Sequence, residues 1–197
     1  MTGVPTQDEL LVRRAREGDR SACEELFRRH RNDSYRLAYR YLGHEQDALD
    51  VVQEAMIKAF SSLAQFDGRS VYRTWLLKIV RNTALDWGRR RKRQCDVAVA
   101  VRAGSGGDDH DPGIVDDPLR GLQRQDLREA LYVGLDKLSA TLRETFILFA
   151  ELGMSYKDIA EVQEVPVGTV MSRIHAARAK LQADLDWDRL NDLCMMD

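Results

Sequence analysis

Ser155-Tyr156-Lys157-Asp158-Ile159-Ala160-Glu161-Val162-Gln163-Glu164-Val165-Pro166-Val167-Gly168-Thr169-Val170-Met171-Ser172-Arg173-Ile174-His175-Ala176-Ala177-Arg178-Ala179-Lys180-Leu181 reads as two helices joined by a tight turn. Ser155 suits the N-cap of the first, with Asp158 at the capping-box position, where Glu or Gln is commoner. Ile159, Ala160 and Val162 give that helix a short apolar face. Pro166 suits the first turn of the second helix, where its missing N–H would be unpaired anyway. Val167, Val170, Ile174, Ala177 and Leu181 then recur at helical spacing. Thr169, Ser172, Arg173, His175, Arg178 and Lys180 supply the rest, and no acid occurs between Pro166 and Ala183. A helix-turn-helix sends such a second helix into the major groove, where Arg, Ser and Thr reach phosphates and base edges. An ordinary helical hairpin with a solvated basic face would show the same pattern.

Working outward, the residues before this stretch supply its core. Leu122, Leu127, Ala130, Leu131, Leu135 and Leu138 mark one helix, and Thr145–Ala150 is the apolar heart of the next. The tail from Asp184 is acidic and carries Trp187, Leu190, Leu193, Met195 and Met196; it fits either an extension of the last helix or a frayed end. From Gln94 to Pro118 the character changes to an acidic, glycine-rich run that reads as a flexible linker. Its roughly 25 residues span at most ~80 Å, enough for two modules two turns apart on one duplex, at ~34 Å per turn.

Upstream lies a second helical module. Asp8–Arg16 reads as its first helix. Gly18-Asp19 breaks it, and Ser21 with Glu24 reads as the capping box of the second. The run Arg28-Arg29-His30-Arg31 reads as a solvated face. The third helix, about 45–64, is the sharpest amphipathic element. Ala48, Val52, Ala55, Met56, Ala59, Phe60 and Leu63 share one face, and Asp47, Asp50 and Glu54 share the opposite one. With few bases nearby in sequence, those acids read as unpaired. They fit a solvated face, or a surface that docks on a basic protein by steering and charge-assisted hydrogen bonds. The fourth helix, about 71–92, has Tyr72, Trp75, Leu76, Ile79, Val80 and Thr83 inward and Lys78, Asn82, Arg89 and Arg93 on another side. It closes in Arg89-Arg90-Arg91-Lys92-Arg93. Bases at a helix C-terminus are ordinary, but five in succession repel one another and call for an anion. Trp75 and Trp87 fit core packing, or stacking on single-stranded bases beside that cationic stripe.

Composition bounds the rest. A chain of 197 residues with 44% hydrophobic content and a net charge of −2 holds one medium domain or two small ones. No signal peptide or transmembrane run is evident. Cys23, Cys95 and Cys194 are isolated, form no Cys-x-x-Cys pair and read as reduced thiols of a cytoplasmic protein. His30, His44, His110 and His175 are scattered and read as surface residues. No Gly-rich phosphate loop, Ser/His/Asp constellation or metal cluster is present, so the chain reads as a non-enzyme without cofactor.

The residues also resemble a known family, the extracytoplasmic-function (ECF) group of bacterial sigma factors. The segment Asp47–Phe60 is similar to the family helix that docks on the polymerase β′ subunit. Arg73–Asp86 followed by Arg89–Arg93 is similar to the helix that melts and reads the −10 element. Leu138–Glu144, Ser155–Ala160 and Val167–His175 are similar to the domain that reads the −35 element. The resemblance implies an all-α fold of two helical domains joined by the acidic linker, at 1–93, 94–118 and 119–187, with a tail at 188–197. It implies core RNA polymerase (β′ and β subunits), promoter DNA and an anti-sigma factor as partners. It implies Asp47, Asp50, Gln53 and Glu54 for polymerase docking. For −10 DNA it implies Arg69, Trp75, Lys78, Asn82, Arg89, Arg90 and Arg93, with the 66–70 turn bordering a pocket for a flipped base. For −35 DNA it implies Thr169, Ser172, Arg173, His175, Arg178 and Lys180. The chain departs from the family at Glu164, where Gly is common, at Pro166, where a capping Ser is common, and at Ala176, where a base is common. The competing reading is a stand-alone helix-turn-helix regulator of duplex DNA, which gives no reason for the Asp47–Glu54 stripe or the Trp75–Arg93 helix.

Overall fold

The computed structural model describes residues 6–101, 134–135 and 137–184, and all its regular elements are helices. The chain divides into two compact units, Met1–Pro112 and Gly113–Asp197.

The N-terminal unit contains α1 (Gln7–Arg16), α2 (Arg20–Leu42), α3 (Glu45–Ser61), a 3-10 turn (Leu63–Gln65) and α4 (Tyr72–Val101). Thr6 starts α1 with a reciprocal capping box, its hydroxyl accepting from Glu9 N–H and its own N–H donating to the Glu9 carboxylate. Asp19, not Ser21, caps α2: its carboxylate accepts from the N–H groups of Ser21 and Ala22. A carboxylate immediately after Gly18, at the residue before the helix, reaches the orphan donors that a serine already inside the first turn cannot. Gly43 ends α2 in the left-handed region, φ 64°. The His44 ring caps α3, its Nδ1 accepting from Asp47 N–H at 3.4 Å.

Helices α2, α3 and α4 pack against one another in pairs, and α1 lies on α2. Leu26, Leu37, Val51, Leu76, Leu77 and Val80 are fully buried between them, each stabilising by about 1.5–3 kcal/mol over its exposed state. His30 belongs to this interior rather than to a solvated face. It is 8% exposed, its Nε2 lies 2.8 Å from Asp8 Oδ2, and its ring packs on Tyr72 with centroids 5.4 Å apart. Helical period explains the difference: residues 26, 30, 34 and 37 fall on one side of α2, and all four are buried. Burial raises the Tyr72 phenol well above its usual range. It also raises the free thiol of half-buried Cys23. Helix α4 continues to Val101, beyond Gln94 where sequence reasoning started the linker.

Acid sensitivity follows from the exposed ion pairs. The Ser21 hydroxyl and the Arg14 guanidinium hold the Asp19 carboxyl at about 2, from an ordinary 3.8. Arg28 and then Arg29 hold that of Glu25 at about 2, from 4.5. Both folded values lie below the unfolded ones. Each group therefore adds stability above the unfolded value, and that stability is lost as pH falls through the folded one. The melting temperature followed by circular dichroism is expected to fall between pH 4.5 and about 2, less steeply in Asp19→Asn.

The C-terminal unit contains α5 (Ala140–Ala150), α6 (Tyr156–Gln163) and α7 (Val167–Asp184), with residues 134–135 helical ahead of them. Leu135, Leu138, Ala177 and Leu181 form a buried cluster under Leu142 and Phe146. Gly134 lies close under this cluster, since a Cβ there would meet Leu181 Cδ2 at 3.0 Å. Ser155 caps α6 through Asp158 N–H, and its hydroxyl donates to the Asp158 carboxylate at 2.5 Å. Glu164 ends α6 at φ 56°, ψ 46° and is the one non-glycine residue at positive φ among those described. Val165 N–H bonds back to Ala160 O at 3.0 Å, closing the turn. A side chain in this region costs about 1 kcal/mol that glycine does not. Glu164→Gly is therefore expected to stabilise the unit by up to about 1 kcal/mol in urea unfolding. Pro166 sits just before α7, its carbonyl accepting from Thr169 and Val170 N–H, one position earlier than a first-turn proline.

Candidate polymerase and nucleic-acid interface

Helix α3 carries Asp47, Asp50 and Glu54 on one stripe, because steps of three and four residues return to the same side. Asp47 and Glu54 are not unpaired, as sequence reasoning held. Asp47 pairs with Arg91 and lies 3.8 Å from His44 Nδ1. Glu54 accepts from Lys58 at 2.7 Å and from Arg90 at 3.3 Å. Lys58 and Arg90 hold its carboxyl below the ordinary value, against a desolvation that pushes it up. Asp50 is half-buried and accepts a long bond from Gln46 at 3.5 Å, while Gln53 is exposed. These pairs lie at the surface and are worth about 0–1 kcal/mol each, so a basic partner can replace them at little cost. One residue that sequence reasoning left off the surface adjoins the stripe: Ile57, 62% exposed, one turn beyond Gln53 and Glu54. Its signal was its absence from the wide apolar face.

The same ion pairs account for part of the arginine run. Arg90 and Arg91 meet the carboxylates of Glu54 and Asp47, 36 and 44 residues away in sequence. Arg90 also lies over the Trp87 ring, 5.7 Å from its centroid. Arg89 pairs with Asp86 at 3.4 Å, and Arg93 donates to Arg89 O at 3.3 Å. All four of these arginines are solvent-exposed. On the same helix Lys78 is half-buried, and exposed Asn82 accepts from Arg81 at 3.4 Å. Trp75 is half-buried in an aromatic cluster, with centroids 5.1 Å from Phe66 and 5.7 Å from Tyr72. The turn before it is held open by Gly68 at φ 76° and by Asp67, which accepts from Arg69 N–H and pairs with the Arg69 side chain at 3.0 Å. Arg69 projects into solvent with its side chain 90% exposed.

In the C-terminal unit, Val170, Ile174, Ala177 and Leu181 anchor α7. Ser172 is exposed and donates to Thr169 O at 2.9 Å; Thr169 is half-buried; His175 and Lys180 are exposed. Arg173 is half-buried, and its Nη1 donates to Gln163 Oε1 at 3.1 Å. The Thr145 hydroxyl lies 3.1 Å from the same Oε1, so Gln163 ties α5, α6 and α7 together. Arg178 lies over Phe149, 5.1 Å from the ring centroid, and thus serves packing as well as charge. Val167 is 41% exposed, whereas its helical spacing had placed it inward with Val170 and Ile174. It is the first residue of the helix, and the buried stripe begins three residues on, at Val170.

Sigma-70 region 2 matches residues 26–94, and Sigma-70 region 4 matches residues 128–181. The RNA polymerase sigma-H factor of Pseudomonas aeruginosa is 35% identical over 181 residues, covering 91% of this chain and 94% of the relative. The chain belongs to the ECF family of RNA polymerase sigma factors. The ECF sigma-E factor of Escherichia coli K12 is 36% identical over 176 residues, covering 87% of this chain and 90% of that one. The solved structure of CnrH with the cytosolic domain of CnrY matches at TM-score 0.67 and 30% identity, over 93% of this chain and 99% of that one. The sigma factor RpoE from Bartonella quintana, solved with the anti-sigma factor NepR, matches at TM-score 0.65 and 28% identity, over 82% and 94%. As a sigma factor, the chain directs transcription initiation and has no catalytic activity of its own. The region 2 match runs from within α2 to within α4, and the region 4 match takes in α5, α6 and most of α7. No helix among the described residues is long and apolar enough to cross a membrane.

Proposed function

We propose that Asp47, Asp50, Gln53 and Glu54 dock this sigma factor on a basic surface of core RNA polymerase, formed by its β′ and β subunits. Helix α4 and the 66–70 turn then hold the −10 element, with Trp75 bordering the unpaired strand and Arg69, Lys78, Asn82, Arg89, Arg90 and Arg93 along its phosphates. Thr169, Ser172, Arg173, His175, Arg178 and Lys180 of α7 place that helix on the −35 element. An anti-sigma protein holds the factor inactive, and its site of action is the cytoplasm. One observation carries this reading: the acid stripe and the arginine face lie on neighbouring helices, close enough to pair with each other. Two surfaces of opposite sign within one small bundle fit two partners of opposite sign, a basic protein and a nucleic acid. A stand-alone regulator of duplex DNA needs only the helix-turn-helix. Transcription in vitro with core polymerase and a genomic DNA pool tests the reading. Discrete starts that require the sigma factor are expected. Tight sequence-specific binding of duplex by the isolated chain, with no start that depends on core polymerase, would instead support the stand-alone regulator.

A further inference from the structure

The first turns of α7 present apolar surface where a charged one would be usual for a DNA-binding helix. Met171 is 54% exposed and Val167 41%. They lie four residues apart, on one line with exposed His175. Gly168 lies beside them, with nothing within 4 Å of where its Cβ would be. The result is a small apolar shelf at the N-terminal end of the helix, with a gap that lets a groove approach the backbone. From Val167 to Ser172 there is no Arg, Lys, Asn, Gln, Asp or Glu. The side chains that read guanine, adenine or cytosine edges by charged or bidentate hydrogen bonds are therefore missing from these turns. One base-edge group in the major groove is apolar, the C5-methyl of thymine. Methionine suits it, being unbranched, polarizable and able to fit an irregular surface.

We propose that Met171 and Val167 read thymine methyl groups in the −35 element, so that the element of this sigma factor carries thymine beneath the start of α7. The inference rests on the −35 role proposed for α7. The shelf is continuous with the polar face of that helix, where Ser172 and His175 are exposed. An isolated apolar patch for a protein partner would have no need to share that face.

The test uses the full chain in holoenzyme with core polymerase, on a promoter fragment recovered from the genomic pool. Each thymine of its −35 segment, on either strand, is replaced singly by deoxyuridine, which lacks only the methyl. Losing one buried methyl contact is expected to lower promoter-complex formation roughly four-fold at one or two positions. In the V167A/M171A double variant, the same replacements are expected to cost almost nothing. Met171→Leu keeps the apolar contact and is expected to keep the sensitivity. If no uracil matters to the wild type, or if the double variant loses as much from it as the wild type does, the methyl reading is overturned. A double variant that fails to assemble with core polymerase would make the shelf a protein contact and also overturn it. If scrambling the whole −35 segment leaves complex formation unchanged, the −35 role of α7 fails, and the inference with it.

Discussion

Asp50→Lys is expected to lower the affinity of this sigma factor for core RNA polymerase by about 30-fold or more. Reversing one member of a desolvated charge pair removes an attraction and leaves two like charges facing each other, a loss of at least about 2 kcal/mol. Asp50 is the cleanest position for the test. Among the described residues it accepts from Gln46 of its own helix, at 3.5 Å, so reversal disturbs little in the free protein. Glu54→Lys would also break contacts with Lys58 and Arg90 and set a third cation beside them. Its loss of binding would mix docking with the packing of α3 on α4. The measurement is a pull-down or titration against core polymerase, with circular dichroism showing that the helices persist. Affinity of the wild type should fall as salt rises, and that of Asp50→Lys should fall less steeply. Unchanged affinity in Asp50→Lys would remove the acid stripe from the docking surface.

The stripe was legible because α3 is amphipathic, with a wide apolar face and acids grouped opposite it. Its ion pairs were not. They depend on how α4 runs alongside α3, which joins residues 36 and 44 positions apart, and nothing local to either helix specifies that register. The extent of α4 beyond Gln94 is hidden in the sequence for a related reason. Val97–Val101 carries no cap and no clear period, yet no Gly or Pro interrupts the chain between Gly88 and Gly104, so nothing stops the helix. His30 shows the opposite case, since the information was present and outweighed. Three arginines around it suggested a solvated run, while its spacing from Leu26 and Ser34 already placed it inward. The candidate DNA-binding residues of α7 divide similarly. Ser172, His175 and Lys180 lie on the surface, as their polarity suggests. Arg173 and Arg178 have partners inside their own unit, which charge alone could not reveal. Residues 102–133 and 185–197 lie outside those described, and with them most of the acidic linker, His110 and the Trp187 tail.

Arg173→Ala is expected to lower promoter-complex formation by the holoenzyme at least ten-fold. Two causes contribute, and they can be separated. Arg173 is half-buried and donates to Gln163, a residue only 5% exposed. A hydrogen bond from a charged group is worth about 1.5–3 kcal/mol. Its removal should lower the stability of the C-terminal unit by about that much at most, less where water replaces the guanidinium. Gln163→Ala breaks the same tie and leaves the cation in place. If Arg173 serves only to brace α7 against α6, the two substitutions weaken DNA binding equally. If its remaining donors reach a phosphate, Arg173→Ala loses much more than Gln163→Ala, and the loss is similar across −35 sequences. The slope of log affinity against log salt then falls by about 1 in Arg173→Ala alone. Arg173→Lys, with the charge but not the planar fork, should recover the slope and only part of the affinity. Transcription unaffected by Arg173→Ala would remove Arg173 from the −35 interface. An unchanged slope with lowered stability would make it a brace between α6 and α7, leaving phosphate contact to His175, Arg178 and Lys180.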